Sequence, residues 1–161
     1  MSWKALVAVI PIALSLTFGE ADARTELRTV MVKDTVENVK QDVIDAVINR
    51  GLVVDHTSHV GAMLKRTGKD LGATKDIYAD AQTVQFCSAK LSRAMMEANP
   101  RNVGFCPFAI FVYALAAAPD TTYVGFRSLP LEGSEASRAA LRAVNELLEA
   151  LLLDAAGKKA N

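Results

Sequence analysis

Two cysteines are the residues of this sequence best suited to chemistry. Cys87 and Cys106 are the only cysteines of the chain, and one predicted helix and a loop separate them. In an oxidising compartment such a pair favours a disulfide, and a crosslink closing about 20 residues would contribute ~3 kcal/mol by the chain-entropy estimate. The sequence therefore predicts a structural disulfide that pins the loop to the sheet. Because the C-x-x-C spacing of exchange enzymes is absent, a thiol–disulfide redox protein is a lesser alternative.

The same cysteines belong to a second candidate site, for haem or copper. Cys106 precedes Pro107, a pair found where a thiolate binds haem iron, and a Cys/Met/His set also suits Cu(I). Covalent haem attachment of the usual kind is excluded, because the C-x-x-C-H motif is missing. The cofactor therefore stays open between haem, copper and none. The candidate ligands are Cys106, Cys87, Met95, Met96, His56 and His59.

Catalytic motifs are otherwise scarce. Asp55, His56 and His59 could supply an acid–base pair, whereas a serine nucleophile elbow, a zinc-protease helix and a phosphate-binding loop are all missing from the sequence. The sequence thus favours a binding or accessory protein without enzymatic activity. A cleft for a small apolar ligand is the matching expectation, lined by Phe105, Phe108, Tyr113 and Tyr123, although these aromatic residues would also suit a core.

The N-terminus indicates export. Lys4 precedes an apolar run over residues 5–18, and Ala21 and Ala23 supply the small residues that signal peptidase accepts. The run is shorter than the ~20 residues of a membrane span. We therefore expect cleavage of residues 1–23, a periplasmic or secreted product, and no membrane span in the mature form.

Composition bounds the mature protein. The chain has 18 lysine and arginine residues and 18 aspartate and glutamate residues. This balanced net charge gives no reason to expect a nucleic-acid partner. After cleavage about 140 residues would remain, enough for one domain with a core. The sequence predicts this domain over residues 24–156, followed by a disordered tail over residues 157–161.

Hydrophobic periodicity predicts a single α+β domain, with helices packed on one mixed or antiparallel sheet in the order β-α-β-α-β-α-β-β-α. The fourth strand, residues 108–116, is apolar throughout, as expected for a strand buried on both faces. The final helix, residues 134–155, has an apolar stripe that would either cover the sheet or meet a second chain. The second alternative would give a homodimer.

The middle of the chain resembles the family catalogued as domain of unknown function 302. The resemblance rests on FCSAKLS at residues 86–92, MMEANP at 95–100 and FCPFAIFVY at 105–113, and it covers residues 29–130. It implies a small α+β domain that forms homodimers and has no agreed biochemical activity. The chain looks closest to an exported branch with two cysteines. Since other members lack cysteines at these places, the resemblance implies nothing about their role.

Overall fold

The computed structural model describes residues 25–157 and confirms the predicted α+β order. The predicted export signal, residues 1–23, and the tail residues 158–161 lie outside the described residues. The strands are β1 (Leu27–Val32), β2 (Val53–Ser58), β3 (Tyr78–Cys87), β4 (Phe108–Leu115) and β5 (Ala118–Arg127). The helices are α1 (Val36–Ile48), α2 (Val60–Gly68), α3 (Ala89–Ala98) and α4 (Glu135–Ala155), with short 3-10 helices at Lys69–Leu71 and Pro100–Phe105.

The strands form one antiparallel sheet in the order β1-β5-β4-β3-β2. Helix α1 contacts four of these strands, β2 to β5, and also packs on α4, while α3 packs on α4. The core lies between these helices and one face of the sheet, where alternate strand residues such as Phe86, Ile110 and Val124 are fully buried. The opposite face of the central strands has no α1, α3 or α4 over it, and we call it the open face.

Side chains at the helix starts explain where three helices begin. The hydroxyls of Thr35, Ser88 and Ser134 each accept a hydrogen bond from a backbone N–H in the first turn of α1, α3 and α4. The spacing of Asp34 and Glu37 in the sequence predicts Asp34 as the cap of α1, but Asp34 instead accepts hydrogen bonds from the Thr35 amide and the Asn38 side chain. The hydroxyls at residues 57 and 58 likewise predict a start of α2 there, but β2 continues to Ser58 and α2 begins after His59.

Two strands differ from expectation in informative ways. The alternation of Val84 and Phe86 predicts a strand that starts at Thr83, whereas β3 begins five residues earlier at Tyr78, because polar Asp80 and Gln82 interrupt the apolar pattern. The expectation that β4 is buried on both faces is wrong, because fully buried residues alternate with half-buried ones along the strand. Helices cover only the core face of β4, and the apolar side chains of its other face lie on the open face.

Helix α4 covers the sheet within its own chain. Its predicted stripe, from Leu141 to Leu152, is buried in the core, so this helix leaves no apolar stripe for a second chain. Across residues 25–157, no helix combines the length and apolar character needed to cross a membrane.

Candidate functional site

The fold brings the two cysteines together at one end of the sheet. Cys87 is the last residue of β3, and Cys106 lies just before β4. Phe86 pairs with Phe108 in the antiparallel register, so Cys87 continues opposite the segment that holds Cys106. Both thiols are free and half-buried. The two sulfur atoms are not at disulfide distance, so the predicted disulfide stays a prediction.

Two polar side chains flank this pair on opposite sides. A bulge in β2 at Asp55 places its carboxylate close enough to the Cys87 thiol to raise the pKa of that thiol. On the other side, the Ser92 Oγ lies 3.4 Å from the Cys106 Sγ. The line Asp55, Cys87, Cys106, Ser92 therefore joins β2, β3, the segment before β4, and α3. We call these four residues the cysteine line.

The surroundings of Cys87 disfavour its thiolate form. Burial, the neighbouring Cys106 and the Asp55 carboxylate together raise the pKa of the Cys87 thiol to about 11. A raised pKa means that the thiolate is disfavoured at this sulfur. The reduced Cys87 is thus held as a protonated thiol at neutral pH.

The candidate sulfur and histidine ligands lie in different surroundings. Met95 is fully buried in the core, whereas Met96 is half-buried against it, as Cys106 is. His56 pairs with Gln85 across the sheet, and His59 precedes α2 without a capping hydrogen bond from its side chain, near enough to Glu37 to contribute to the lowered pKa of that carboxyl. Within residues 25–157 no three His, Cys, Asp or Glu side chains converge as a metal-binding group.

A polar cluster that sequence reasoning missed lies beside His59. The hydrogen bond from Lys40 is the main cause that lowers the pKa of Glu37, with smaller contributions from Gln82 and His59. Gln82 is buried in β3 and donates to Asp80 at 2.8 Å. The Gln82 Oε1 is buried and has no hydrogen-bond partner among the described residues.

The open face carries a cluster of aromatic residues at its centre. Tyr113 and Tyr123, which pair across β4 and β5, stack with ring centroids 5.0 Å apart. Tyr78 meets Tyr113 edge-on at 5.5 Å, and Phe111 lies 6.1 Å from Tyr113. Burial and the two neighbouring tyrosines raise the pKa of Tyr113. We call these four residues the aromatic cluster.

Phe111 owes its position to a glycine. A Cβ atom at Gly125 would lie 2.7 Å from the Phe111 Cζ and would collide with the Arg28 carbonyl oxygen. The missing side chain thus lets the Phe111 ring lie across β5, which widens the apolar surface of the open face.

A cavity of about 340 Å³ adjoins the aromatic cluster. Its walls include Tyr78, Phe111 and Tyr113, together with Val60 of α2 and Leu27 of β1. The volume falls in the range of small-molecule sites. The cavity opens onto a surface that already exposes Leu27 and Met31, each 65% accessible.

The expected four-residue aromatic cleft is wrong in its membership. Phe108 is a core residue only 2% exposed, and it lies on the other side of the sheet from Tyr113. Phe105 lines a second cavity near Pro107 and Leu129, which shares Leu27, Thr83 and Phe111 with the first. The alternation of residues along β4 could have revealed this, because residues 108 and 113 differ by an odd number and so face opposite sides.

Comparison with known families fits this architecture. A model of the family described as "Domain of unknown function DUF302" matches residues 28–152. The chain belongs to the DUF302 family. This DUF302 chain is also similar to the crystal structure of an uncharacterized conserved DUF302 protein from Bacillus stearothermophilus. The TM-score is 0.64 at 16% identity, with 80% of this chain and 97% of that chain covered, so the likeness supports the fold. No curated protein sequence matches this DUF302 chain.

Proposed function

We propose that this DUF302 chain is an exported binding protein without enzymatic activity that takes a small, neutral, planar apolar ligand on its open face. The observation that carries the proposal is the aromatic cluster beside a cavity of about 340 Å³. Buried aromatic surface binds apolar rings through area and stacking geometry. Because the cavity walls named above bear no formal charge, a neutral ligand suits them better than an ion.

A fluorescent probe tests this proposal. N-phenyl-1-naphthylamine, a neutral planar molecule, should bind the purified protein and gain fluorescence. Tyr113→Ala should weaken binding about tenfold, since a lost stacking partner costs ~1 kcal/mol beyond the area it buries. Tyr113→Phe retains the ring and should bind as the wild type does. Val103→Ala, at an exposed apolar residue that does not line the cavity, is the matched control. Equal binding by the wild type and Tyr113→Ala would refute the site.

A homodimer is the second candidate for the open face. Leu27 and Met31 of the edge strand β1 expose 65% of their surfaces, and a contiguous apolar face often marks a protein interface. Sedimentation at micromolar concentration would then give a dimer, and Met31→Glu would give a monomer. Leu71→Glu, at an exposed residue of the 3-10 helix after α2, is the control that should leave the dimer intact. A monomeric wild type would reject this candidate.

Export and the disulfide complete the proposal. In a periplasmic or extracellular compartment the neighbouring thiols of Cys87 and Cys106 would be oxidised to a disulfide. The mass of the mature protein should correspond to a start at Arg24, and a thiol count under denaturing conditions should find no free cysteine. Two free thiols that survive treatment with oxidised glutathione would exclude the disulfide without affecting the open face.

A further inference from the structure

We propose that the Cys87–Cys106 pair is a thiol–disulfide exchange site in which an incoming thiolate attacks Cys87 and Cys106 leaves. This inference rests on the disulfide of the proposed function, and it adds reactivity to a bond that would otherwise only crosslink the chain. It is carried by the cysteine line, which gives the two sulfur atoms unlike neighbours.

Charge decides which sulfur leaves. When a disulfide opens, negative charge develops on the departing sulfur. On Cys87 this charge would lie beside the Asp55 carboxylate, which repels it. On Cys106 it would lie 3.4 Å from the Ser92 hydroxyl, which can rotate to donate a hydrogen bond to it. The favoured opening therefore leaves the incoming group on Cys87.

Access and apolar packing are consistent with the same direction. Cys87 lies on the open face of β3. It pairs with Val53 of the edge strand β2, and the Val53 side chain is 72% exposed. Cys106 packs against the core beside α3. An incoming thiol can thus reach Cys87 from the open face along the β2 edge.

The chemical step balances with a thiol as the reductant. A first thiolate, RS⁻, forms a mixed disulfide with Cys87 as the Cys87–Cys106 bond breaks and the electron pair goes to the Cys106 sulfur. A second thiolate then displaces Cys87, which takes a proton. The protein gains two electrons and two protons as two thiols, and the reductant leaves as RSSR. Because Cys87 is the poorer leaving group, the mixed disulfide should accumulate.

Reduced glutathione is the probe for the test. Oxidised wild-type protein is mixed with it under native conditions, quenched with acid, and mapped by mass spectrometry. We expect a single glutathione adduct on Cys87. Ser92→Ala should slow its formation by several-fold, and Ser92→Thr, which keeps the hydroxyl, should restore the rate. Ser58→Ala, at a β2 hydroxyl that accepts from Gln85, is the control.

The outcomes separate this inference from the disulfide itself. If oxidised glutathione never produces the disulfide, both the disulfide and the exchange site are refuted. If the disulfide forms but opens only after unfolding in urea, the bond is structural and the exchange site is refuted. An adduct found on Cys106 instead of Cys87 would overturn the assigned direction. The wild-type mapping needs no variant, so a misfolded Ser92→Ala protein would not prevent a decision.

Discussion

Asp55 and Ser92 show how single residues give chemical character to a pair of identical side chains. Asp55 reaches Cys87 because a β-bulge adds one residue to β2 between Val54 and His56. Ser92 reaches Cys106 from the first turns of α3. The two side chains are chemically identical, so any difference between them comes from their surroundings, of which these neighbours are a part. With them, one sulfur faces a carboxylate and the other a hydroxyl.

The raised pKa of Cys87 predicts slow alkylation of the reduced protein. Moving the pKa from 9.0 to about 11 lowers the thiolate fraction near pH 8 about a hundredfold. Because a thiolate of higher pKa is about tenfold more nucleophilic, the alkylation rate falls only about tenfold. Peptide-mapped iodoacetamide labelling should therefore be about tenfold slower at Cys87 in folded than in urea-unfolded protein. Asp55→Asn should speed the folded reaction, and Asp120→Asn, near the start of β5, should not. Equal folded and unfolded rates would contradict the raised pKa.

The raised pKa of Cys87 also makes the stability of the reduced protein depend on pH. The pKa of Cys87 is higher in the folded than in the unfolded state, so the folded state holds the thiol proton more tightly. The contribution of this proton to the free energy of unfolding is complete below pH 9 and is lost as the pH rises through about 11. The free energy of unfolding of the reduced protein should thus fall over this interval.

At the scale of elements, the 3-10 helix Pro100–Phe105 is held by one buried side chain. The Asn102 Nδ2 donates to the Met95 carbonyl of α3 at 2.9 Å and to the Ser137 hydroxyl of α4 at 3.0 Å. A single residue thus joins three helical elements. This junction also fixes the segment that leads into Cys106.

Removal of this tie should destabilise the protein. Asn102→Ala leaves the Met95 carbonyl and the Ser137 hydroxyl without their buried donor, at a cost of ~1–3 kcal/mol. Urea denaturation followed by circular dichroism should show the lower midpoint. Asn49→Ala, at the exposed end of α1, should stay within about 0.5 kcal/mol of the wild type. A wild-type midpoint for Asn102→Ala would show that the tie contributes nothing.

Periodicity predicted the elements well where one face of a helix or strand is apolar. The stripe of α4 and the buried face of α1 follow directly from the sequence. The start of β3 and the β2 bulge were hidden, because Asp80, Gln82 and Asp55 are polar residues within strands. Among the residues of the candidate site, the two cysteines could be predicted from the sequence by their residue type alone. The roles of Asp55, Ser92 and Tyr78 depend on register and packing between distant segments, which spacing along the chain does not encode.

At the scale of the whole molecule, α2 is the helix least integrated into the core. It has no buried residue, and its main contacts are with β3 and the adjoining 3-10 helix. Helix α1, by comparison, buries five residues against the sheet and α4. Stability should therefore be uneven across the domain, lowest at the wall of the cavity that Val60 helps to form.

Hydrogen exchange should reveal this difference. Amides of α2 and of residues 69–77 should exchange through local opening, faster than those of α1 or α4, because few apolar contacts hold them. Mass spectrometry of peptic fragments measures this directly. Binding of N-phenyl-1-naphthylamine should slow exchange in α2 and leave α4 unchanged. Equal protection of α1 and α2 would contradict the peripheral position of α2.

The pairing of β1 with β5 has a consequence for how the chain becomes structured. Among the described strands β1 is synthesised first, yet its hydrogen-bonded neighbour β5 is synthesised last. Until residues 122–127 emerge, β1 has no partner, so the sheet closes only when nearly the whole chain is available. Pairing across such a sequence separation slows folding. A chain halted before β5 would expose β1 and one edge of β4, and both edges would be open to association with other chains.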